Sequence, residues 1–584
     1  MSHIRALLLA AAAFAPLAPA LAADNPLMLD SAQLAATPPP ARYYKNAFAA
    51  IDAGDWSSAA AKIDAMEPGP LQAAARAELY LAKGSPMVTA GQLTALIAQA
   101  PDQPQAAQLA RLAEKRGAYD LPYFAPTQNL AWAGEQPRRA RARSVKGDAA
   151  AAQLEPLVQP LIVADQPVAA ETLLIERQPA LTAEALTEYR QRIAWSYYLI
   201  GRDADARRLA DAARSGVGEW TLQAAWVSGL AAWRMNDCKA ASDAFATVAA
   251  RSTDPELSAA GHYWAARADM VCAKPERVQT RLRTAAQLKE TFYGLLSASA
   301  LGIKSAGFTG LHDYRDAEWR SIAAKPNVKV ALALNGMGKS ELADSYIRHQ
   351  ARIAPGDHNA LLHLACDLDL AGTQFWLAHN APRGTRVNFA ARYPAPAWTP
   401  KGGWRVDRSL LLAHALQESN FRTAVVSPAG ATGVMQVRPG TAGDIARARG
   451  QAFDPSQLRD PAANIEFGQS YIESLRDHSG TGGLLPKVIA AYNAGPVPIT
   501  AWNSRRIDGG DPLLYIESLP YWETRGYVPI VLRNYWIYEA QGGTKSASRQ
   551  ALAQGLWPRF PGLPGASAVR LGRPNLRTAS RETE

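Results

Sequence analysis

Residues 414–442 read "HALQESNFRTAVVSPAGATGVMQVRPGTA", and the meaning of the C-terminal part of the chain turns on this stretch. Taken with the residues before it as a helix, "SLLLAHALQESNF" places Leu411, Ala415 and Glu418 at i, i+4 and i+7, so Glu418 continues an apolar stripe. A carboxylate in that position loses hydration, which raises its pKa towards the range where it holds a proton near neutrality. That is what a general acid requires. Standing alone, the pattern reads more simply as a Glu making an ordinary surface contact near a helix end. Its surroundings change the balance. Ser427-Pro428, Gly430 and Gly433 supply tight turns or let backbone approach a ligand closely. Met435 and Gln436 follow, and Pro439-Gly440-Thr441 opens a new helix.

Working outward, "DPAANIEFGQSYIESL" opens with Asp460 as N-cap and Pro461 at the first helical position, with Ile465, Gly468, Ile472 and Leu475 on one packing stripe. "LPKVIAAYNAGP" predicts a helix ended by Gly495-Pro496, with Tyr492 on the face of Val488. "YIESLPYWETRGYVPIVLRNYWIYEA" adds Glu517 and Glu523 before a last aromatic-rich helix.

Together these segments resemble the lysozyme-like catalytic domain of the lytic transglycosylases. Four motifs match in order: "ESNF…SPAGATGVMQV.PGTA", "N…G..Y", "AAYNAGP" and "YIESLP…ETRGYV". With an export signal and a long helical-repeat region ahead of it, the chain looks like one of the large soluble lytic transglycosylases of the periplasm. That resemblance implies a mainly α protein: an α-superhelical region of helical-hairpin repeats, a small helical linker domain and a C-terminal lysozyme-like α+β domain. Residue by residue it makes Glu418 the catalytic acid/base. Ser427, Gln436, Tyr492 and Glu517 fall on positions that line the glycan groove, and Met435 and Asn493 belong to the same motifs. Arg438 departs from the pattern, standing where an aliphatic residue or Met is expected.

Many glycosidases use two carboxylates, but no Asp or Glu lies within ten residues of Glu418 on its C-terminal side. The resemblance implies a one-carboxylate reaction on the bond between N-acetylmuramic acid and N-acetylglucosamine. Glu418 protonates the glycosidic oxygen, the substrate's N-acetyl group stabilises the cationic centre, and the C6 hydroxyl closes a 1,6-anhydro ring. Two alternatives stand beside it. One is a hydrolytic muramidase with Glu517 or Glu523 as second carboxylate, and the other a scaffold whose lysozyme-like domain only binds glycan. Nine His include no HExxH, and there is no P-loop or dinucleotide fingerprint, so neither metal nor organic cofactor is implied.

The chain has 584 residues, too many for one core. "MSHIRALLLAAAAFAPLAPALAADNP" has a basic start, a short apolar run and the small-residue site Ala20-Leu21-Ala22, the layout of a secretory signal peptide over residues 1–22. No later stretch has the length of a membrane-spanning helix, so the expected product is soluble and exported, and the resemblance implies a periplasmic protein, expected as a monomer. Residues 23–302 are Ala- and Leu-rich with helical periodicity. Trp195, Trp233 and Trp264 recur near the ~34-residue period of stacked helical hairpins, most simply as core pieces. Cys238 and Cys272 occupy nearby positions in adjacent repeats and are the candidate disulfide, against the alternative of buried thiols. The run "PRRARAR", residues 137–143, reads as a solvated connector.

Residues 303–393 read as the linker domain, and the Pro-rich "RYPAPAWTPKGGWRVD" marks the boundary to the catalytic domain, 394–540. The net charge of +10 is uneven: residues 541–584 hold seven Lys and Arg against two Asp and Glu, a basic flexible tail. With the catalytic segment nearly neutral, nucleic acid is not an expected partner. Peptidoglycan strands and proteins of the cell-wall machinery are.

Overall fold

The computed structural model describes residues 41–303, 316–505 and 508–572; the signal-peptide reading lies outside them. Four helical hairpins form the middle of the chain: Ala149–Val163 with Pro167–Arg177, Ala183–Leu199 with Asp203–Arg214, Trp220–Arg234 with Cys238–Arg251, and Pro255–Val271 with Pro275–Gln287. Side-chain caps start four of these eight helices, where Asp148, Thr182, Asp237 and Asp254 accept backbone N–H bonds. Each hairpin turns on one left-handed residue: Asp165, Gly201, Asn236 and Ala273 all have φ between 54° and 80°. The next residue returns an N–H bond to a carbonyl five positions back in every case, as from Asp237 to Ala232. A shared turn makes the repeat structural as well as compositional.

Neighbouring hairpins approach closely where side chains vanish. A Cβ on Gly261 would stand 2.6 Å from the backbone nitrogen of Ala249, so the helices touch there backbone to backbone. Trp264 is fully buried beside Trp226 and Phe245. Trp195 and Trp233 are only partly buried; the guanidinium of Arg525 lies over the first and that of Arg267 over the second. Cys238 and Cys272 form a disulfide with Cα atoms 5.6 Å apart. Cys366 is unpaired, and burial pushes its thiol up to about 11.

Three readings of the sequence are refined. Residues 316–392 pack against the start of the chain, because Val328, Leu334, Ile347 and Leu361 share one buried cluster with Phe48, Ile63 and Leu79 of the first hairpins. The chain folds back, so helices far apart in sequence bury one another. The connector carrying "PRRARAR" is not solvated throughout: Ala131–Trp132 pairs antiparallel with Asn380–Ala381, and Arg139 is largely covered where it pairs with Glu517, while Arg138, Arg141 and Arg143 stay exposed. Nor is 541–572 a flexible tail. It forms the Ala547–Ala553 helix and a Trp557–Pro558/Ala568–Val569 strand pair, with Leu552, Trp557 and Phe560 buried. The charge count over 541–584 concealed these apolar anchors. Leu484 is bridged to Arg559, and the Trp557 indole donates to the Gly510 carbonyl at 2.8 Å, so this segment closes onto the catalytic domain.

The C-terminal domain is built from the helices Arg408–Ser419, Pro439–Ala448, Pro461–Asp477, Leu485–Ala494 and Trp522–Gln541. Its core is continuous with the hairpin stack, where Phe292 stacks on Trp536 with centroids 5.0 Å apart. Among the described residues no helix is long and apolar enough to cross a membrane.

Candidate active site

Asp407 caps the Arg408–Ser419 helix by accepting from Ser409 and Leu410, and Asn420 ends it in the left-handed region. Leu411 and Ala415 are buried, so the apolar stripe faces the core and delivers Glu418 in the last turn. There Tyr527, from the Trp522–Gln541 helix, donates its hydroxyl proton to Glu418 Oε1 at 2.5 Å. The same hydroxyl lies 2.9 Å from His414 Nδ1. When the tyrosine proton is directed at the ionised carboxylate, the His414 tautomer that donates from Nδ1 completes this chain of bonds. Burial pushes His414 down to about 3, so it stays neutral.

Burial likewise pushes Glu418 up to about 7; the Tyr527 bond opposes this and the nearby Glu523 charge adds to it. Tyr527 itself is held well above its ordinary pKa, chiefly by burial, and therefore remains a donor. Glu418 thus sits where it can carry a proton near neutrality and still be stabilised after giving it up.

The loop beyond Glu418 is held by its own backbone. Ser427 accepts at its carbonyl from Gly430 and at Oγ from Ala431, closing the turn. Thr432 bridges to both Val426 and Val437. Gly433, at φ +80°, has no room for a side chain: a Cβ would stand 2.1 Å from the Leu458 carbonyl. Asn464 pins this region, donating to the Thr432 and Leu458 carbonyls at 2.8 Å and accepting from the Met435 N–H at 2.8 Å. Ser419 Oγ donates to the Val434 carbonyl at 2.8 Å, tying the loop to the helix that carries Glu418. Tyr492 donates to the Met435 carbonyl at 2.7 Å and packs 4.6 Å from the His414 ring, with Tyr471 behind it. A cavity of about 800 Å³ opens alongside, with Gln417, Glu523 and Tyr527 on one wall and Arg139, Arg141 and Asp254 on the other.

With this geometry in hand, residues 399–511 match the family described as the Transglycosylase SLT domain. The match covers about a fifth of the chain. The soluble lytic murein transglycosylase of Escherichia coli K12 is 36% identical over 155 residues, which is 26% of this chain and 24% of that protein. Membrane-bound lytic murein transglycosylase C of Actinobacillus succinogenes is 34% identical over 146 residues, 23% of this chain and 40% of that one. The sequence match therefore spans about a quarter of the first relative's length. The fold reaches further. The crystal structure of the 70 kDa soluble lytic transglycosylase of E. coli superposes with a TM-score of 0.54 at 20% identity, covering 91% of this chain and 77% of that one. An inactive mutant of the Pseudomonas aeruginosa lytic transglycosylase Slt gives 0.53 at 19%, covering 85% of each.

Within the SLT domain the residues expected from sequence separate into groups. Glu418, Ser427, Gln436, Tyr492 and Asn493 are all partly exposed. Gln436 takes φ +48° and spends its amide on the Val425 and Gly433 carbonyls. Asn493 accepts from Thr524 at 2.6 Å and donates to the exposed Glu523 at 3.3 Å. Met435 is fully buried beneath Gly468 and reaches the site only through its backbone. Arg438 is exposed at the start of the Pro439–Ala448 helix.

Glu517 is a correction. It is 1% exposed, and both its oxygens are taken by Arg139, with Tyr293 donating as well at 2.6 Å, so it does not line a groove. Sequence reasoning gave no role to His414, Asn464, Tyr471 or Tyr527. His414 stands four residues before Glu418, one helical turn away, which is the signal that could have found it. Among the described residues no group of three His, Cys, Asp or Glu is placed to hold a metal ion.

Proposed function

We propose that this chain is a lytic transglycosylase of peptidoglycan, exported by its first 22 residues to the periplasm, with Glu418 as its single acid/base. One observation carries the reading: a carboxylate with a pKa of about 7, in a transglycosylase SLT domain, with the Tyr527 hydroxyl at 2.5 Å. Protonated Glu418 gives its proton to the glycosidic oxygen between N-acetylmuramic acid and N-acetylglucosamine, and the C1–O bond breaks. The N-acetyl carbonyl oxygen of the same sugar bonds to C1 and takes up the positive charge, so no enzyme nucleophile is needed. Ionised Glu418 then accepts the proton of the C6 hydroxyl, whose oxygen displaces the acetamido oxygen at C1 and closes the 1,6-anhydro ring. Water is not consumed.

Tyr527 suits both halves, since its hydrogen bond favours the carboxylate that the first step creates. Ser427, Gln436, Tyr492 and Asn493 are assigned to the glycan groove. Glu517 is unsuited to serve as a second carboxylate because its oxygens are occupied, which leaves Glu523 for a hydrolytic alternative. Digestion of purified peptidoglycan by the wild type and by Glu418→Gln, read by mass spectrometry, tests the proposal. Anhydro-ended products from the wild type alone are expected. Products heavier by one water would point to hydrolysis, and an active Glu418→Gln would remove the acid assignment.

A further inference from the structure

Between the helix ending at Lys115 and the one beginning at Ala149 the chain has no helix and runs as a strap from the first hairpins to the hairpin stack. Its middle crosses the catalytic domain. The Pro137 carbonyl accepts from Arg533, the Ala140 N–H donates to Asp254 at 2.6 Å, and the Val145 N–H donates to Glu188 at 2.7 Å. Between these ties Arg139 makes a two-pronged bond to Glu517, at 2.6 and 2.7 Å, with its guanidinium 4.5 Å from the Trp226 ring centroid. Tyr293 donates to the same carboxylate, and the Trp264 indole donates to Tyr293 at 2.9 Å.

The residues just after Glu517 are gripped in the same way. Ser518 is hydrogen-bonded to Tyr198 at 2.8 Å, while Arg525 donates to the Leu519 carbonyl at 3.1 Å and lies 3.9 Å over Trp195. Tyr198, Trp195, Trp226, Trp264 and Tyr293 belong to the hairpin stack or to the helix that follows it. The segment they grip runs directly into the Trp522–Gln541 helix, whose first two turns carry Glu523 and Tyr527. A buried ion pair is a poor source of stability compared with apolar packing of the same volume, but a bidentate guanidinium–carboxylate pair fixes relative orientation. The Tyr527–Glu418 bond needs that orientation, because hydrogen-bond energy falls steeply with misalignment.

We propose that Arg139, acting through Glu517, is a positioning residue for the reaction: the strap and hairpin stack set the helix that presents Tyr527 to Glu418, and so complete the active site. The proposal rests on the reading of Glu418 as the proton donor. The charged and titratable groups facing Glu418 are Tyr527, Glu523, Tyr492 and neutral His414; those facing the Arg139–Glu517 pair are Tyr293, Glu256, Arg525 and Tyr198. Arg139 and Glu517 belong only to the second set, so their loss reaches Glu418 through Tyr527.

The test uses the full chain and soluble glycan fragments, with kcat and KM measured from pH 4 to 9. Arg139→Lys keeps the charge and loses the fork. Arg139→Met/Glu517→Leu replaces the pair by apolar groups and leaves no charge unpaired, so its thermal midpoint should stay near that of the wild type. In both, kcat is expected to fall about tenfold with KM within about twofold, and the alkaline limb of the pH profile to move upward as Tyr527 ceases to favour the carboxylate. Wild-type kcat in these variants, or a fall in kcat with the limb unmoved, would overturn the proposal. Glu418→Gln, run alongside, separates the failures. If it is active, the acid assignment falls; if it is inactive while Arg139→Lys behaves as wild type, only the positioning role falls.

Discussion

Replacing Glu418 by Gln separates what this residue does for the fold from what it does for the reaction. Its folded pKa is about 7 against an ordinary value of 4.5, so the folded chain holds a proton that the unfolded chain has already lost at intermediate pH. Stability contributed by the group is fully present below about 4.5, and is lost as pH rises towards 7. The difference between 7 and 4.5, at about 1.4 kcal/mol per pH unit, gives an upper limit of about 3.5 kcal/mol. Water reaches part of this side chain, which reduces the figure to roughly 2 kcal/mol. Gln is nearly the same shape, carries no charge and still accepts from Tyr527. The variant should therefore match the wild type at pH 4 and exceed it at pH 8 by roughly 4–8 °C in the thermal midpoint of the catalytic domain. Glu256 and Glu539 are also pushed to about 7 by burial, but they titrate identically in both proteins and cancel in the difference. Scanning calorimetry of the two proteins across pH 4 to 8 reads it. A gap that does not change with pH, or a variant less stable at pH 8, would refute the burial argument from which the acid role is built.

Other outcomes follow from the same geometry. Tyr527→Phe removes a hydrogen bond to a charged carboxylate, worth roughly 1.5–3 kcal/mol, so Glu418 should rise by about one to two pH units. The alkaline limb of the pH–rate profile should move up by as much; an unmoved limb would show that the bond does not tune the acid. Asn464→Leu strands the Met435 N–H and the Thr432 and Leu458 carbonyls in a dry site, and should destabilise the catalytic domain by about 3 kcal/mol or more. A midpoint within about 2 °C of the wild type would contradict this. Cys238→Ser with Cys272→Ser opens a link between residues 34 apart and should cost the hairpin stack about 3–4 kcal/mol. Calorimetry with and without reductant checks it, and a wild-type protein insensitive to reductant would refute it.

What could be read from the sequence is what local periodicity carries. The burial of Glu418 was legible because Leu411, Ala415 and Glu418 share one helix face within two turns, and the structure buries the first two; its role as acid came from the resemblance of the four motifs, not from the stripe. The Cys238–Cys272 pair was found because a repeat converts a sequence separation into a spatial one: both cysteines lie beside the turns of adjacent hairpins. Glycines were legible as a class, and Gly433 proves to be the one the loop cannot replace, against the Leu458 carbonyl, while Gly468 of the Pro461–Asp477 helix leaves room for the Met435 side chain. The tail was misread for a related reason. Charge is a property of composition and can be summed, whereas the anchoring of Trp557 against Tyr515 and Gly510 is a single long-range event.

The residues that escaped notice share one property: their partners come from other helices at large separation. Tyr527 meets Glu418 across 109 positions, and Arg139 meets Glu517 across 378. No periodicity connects such pairs, so a carboxylate in a recognised motif was assigned to the groove when its partner lay in a connector of ordinary appearance. The same fact bears on how the molecule works. A catalytic domain that owned all of its geometry would need no buried charge from a strap that far upstream, and the hairpin stack could be exchanged without cost to the chemistry. Here the turn leading into the Tyr527 helix is held at Glu517, Ser518 and Arg525 by side chains from the stack or the strap. The aromatic side chains of the hairpins, which look like core filling in sequence, thereby hold the turn that leads into the helix carrying Tyr527.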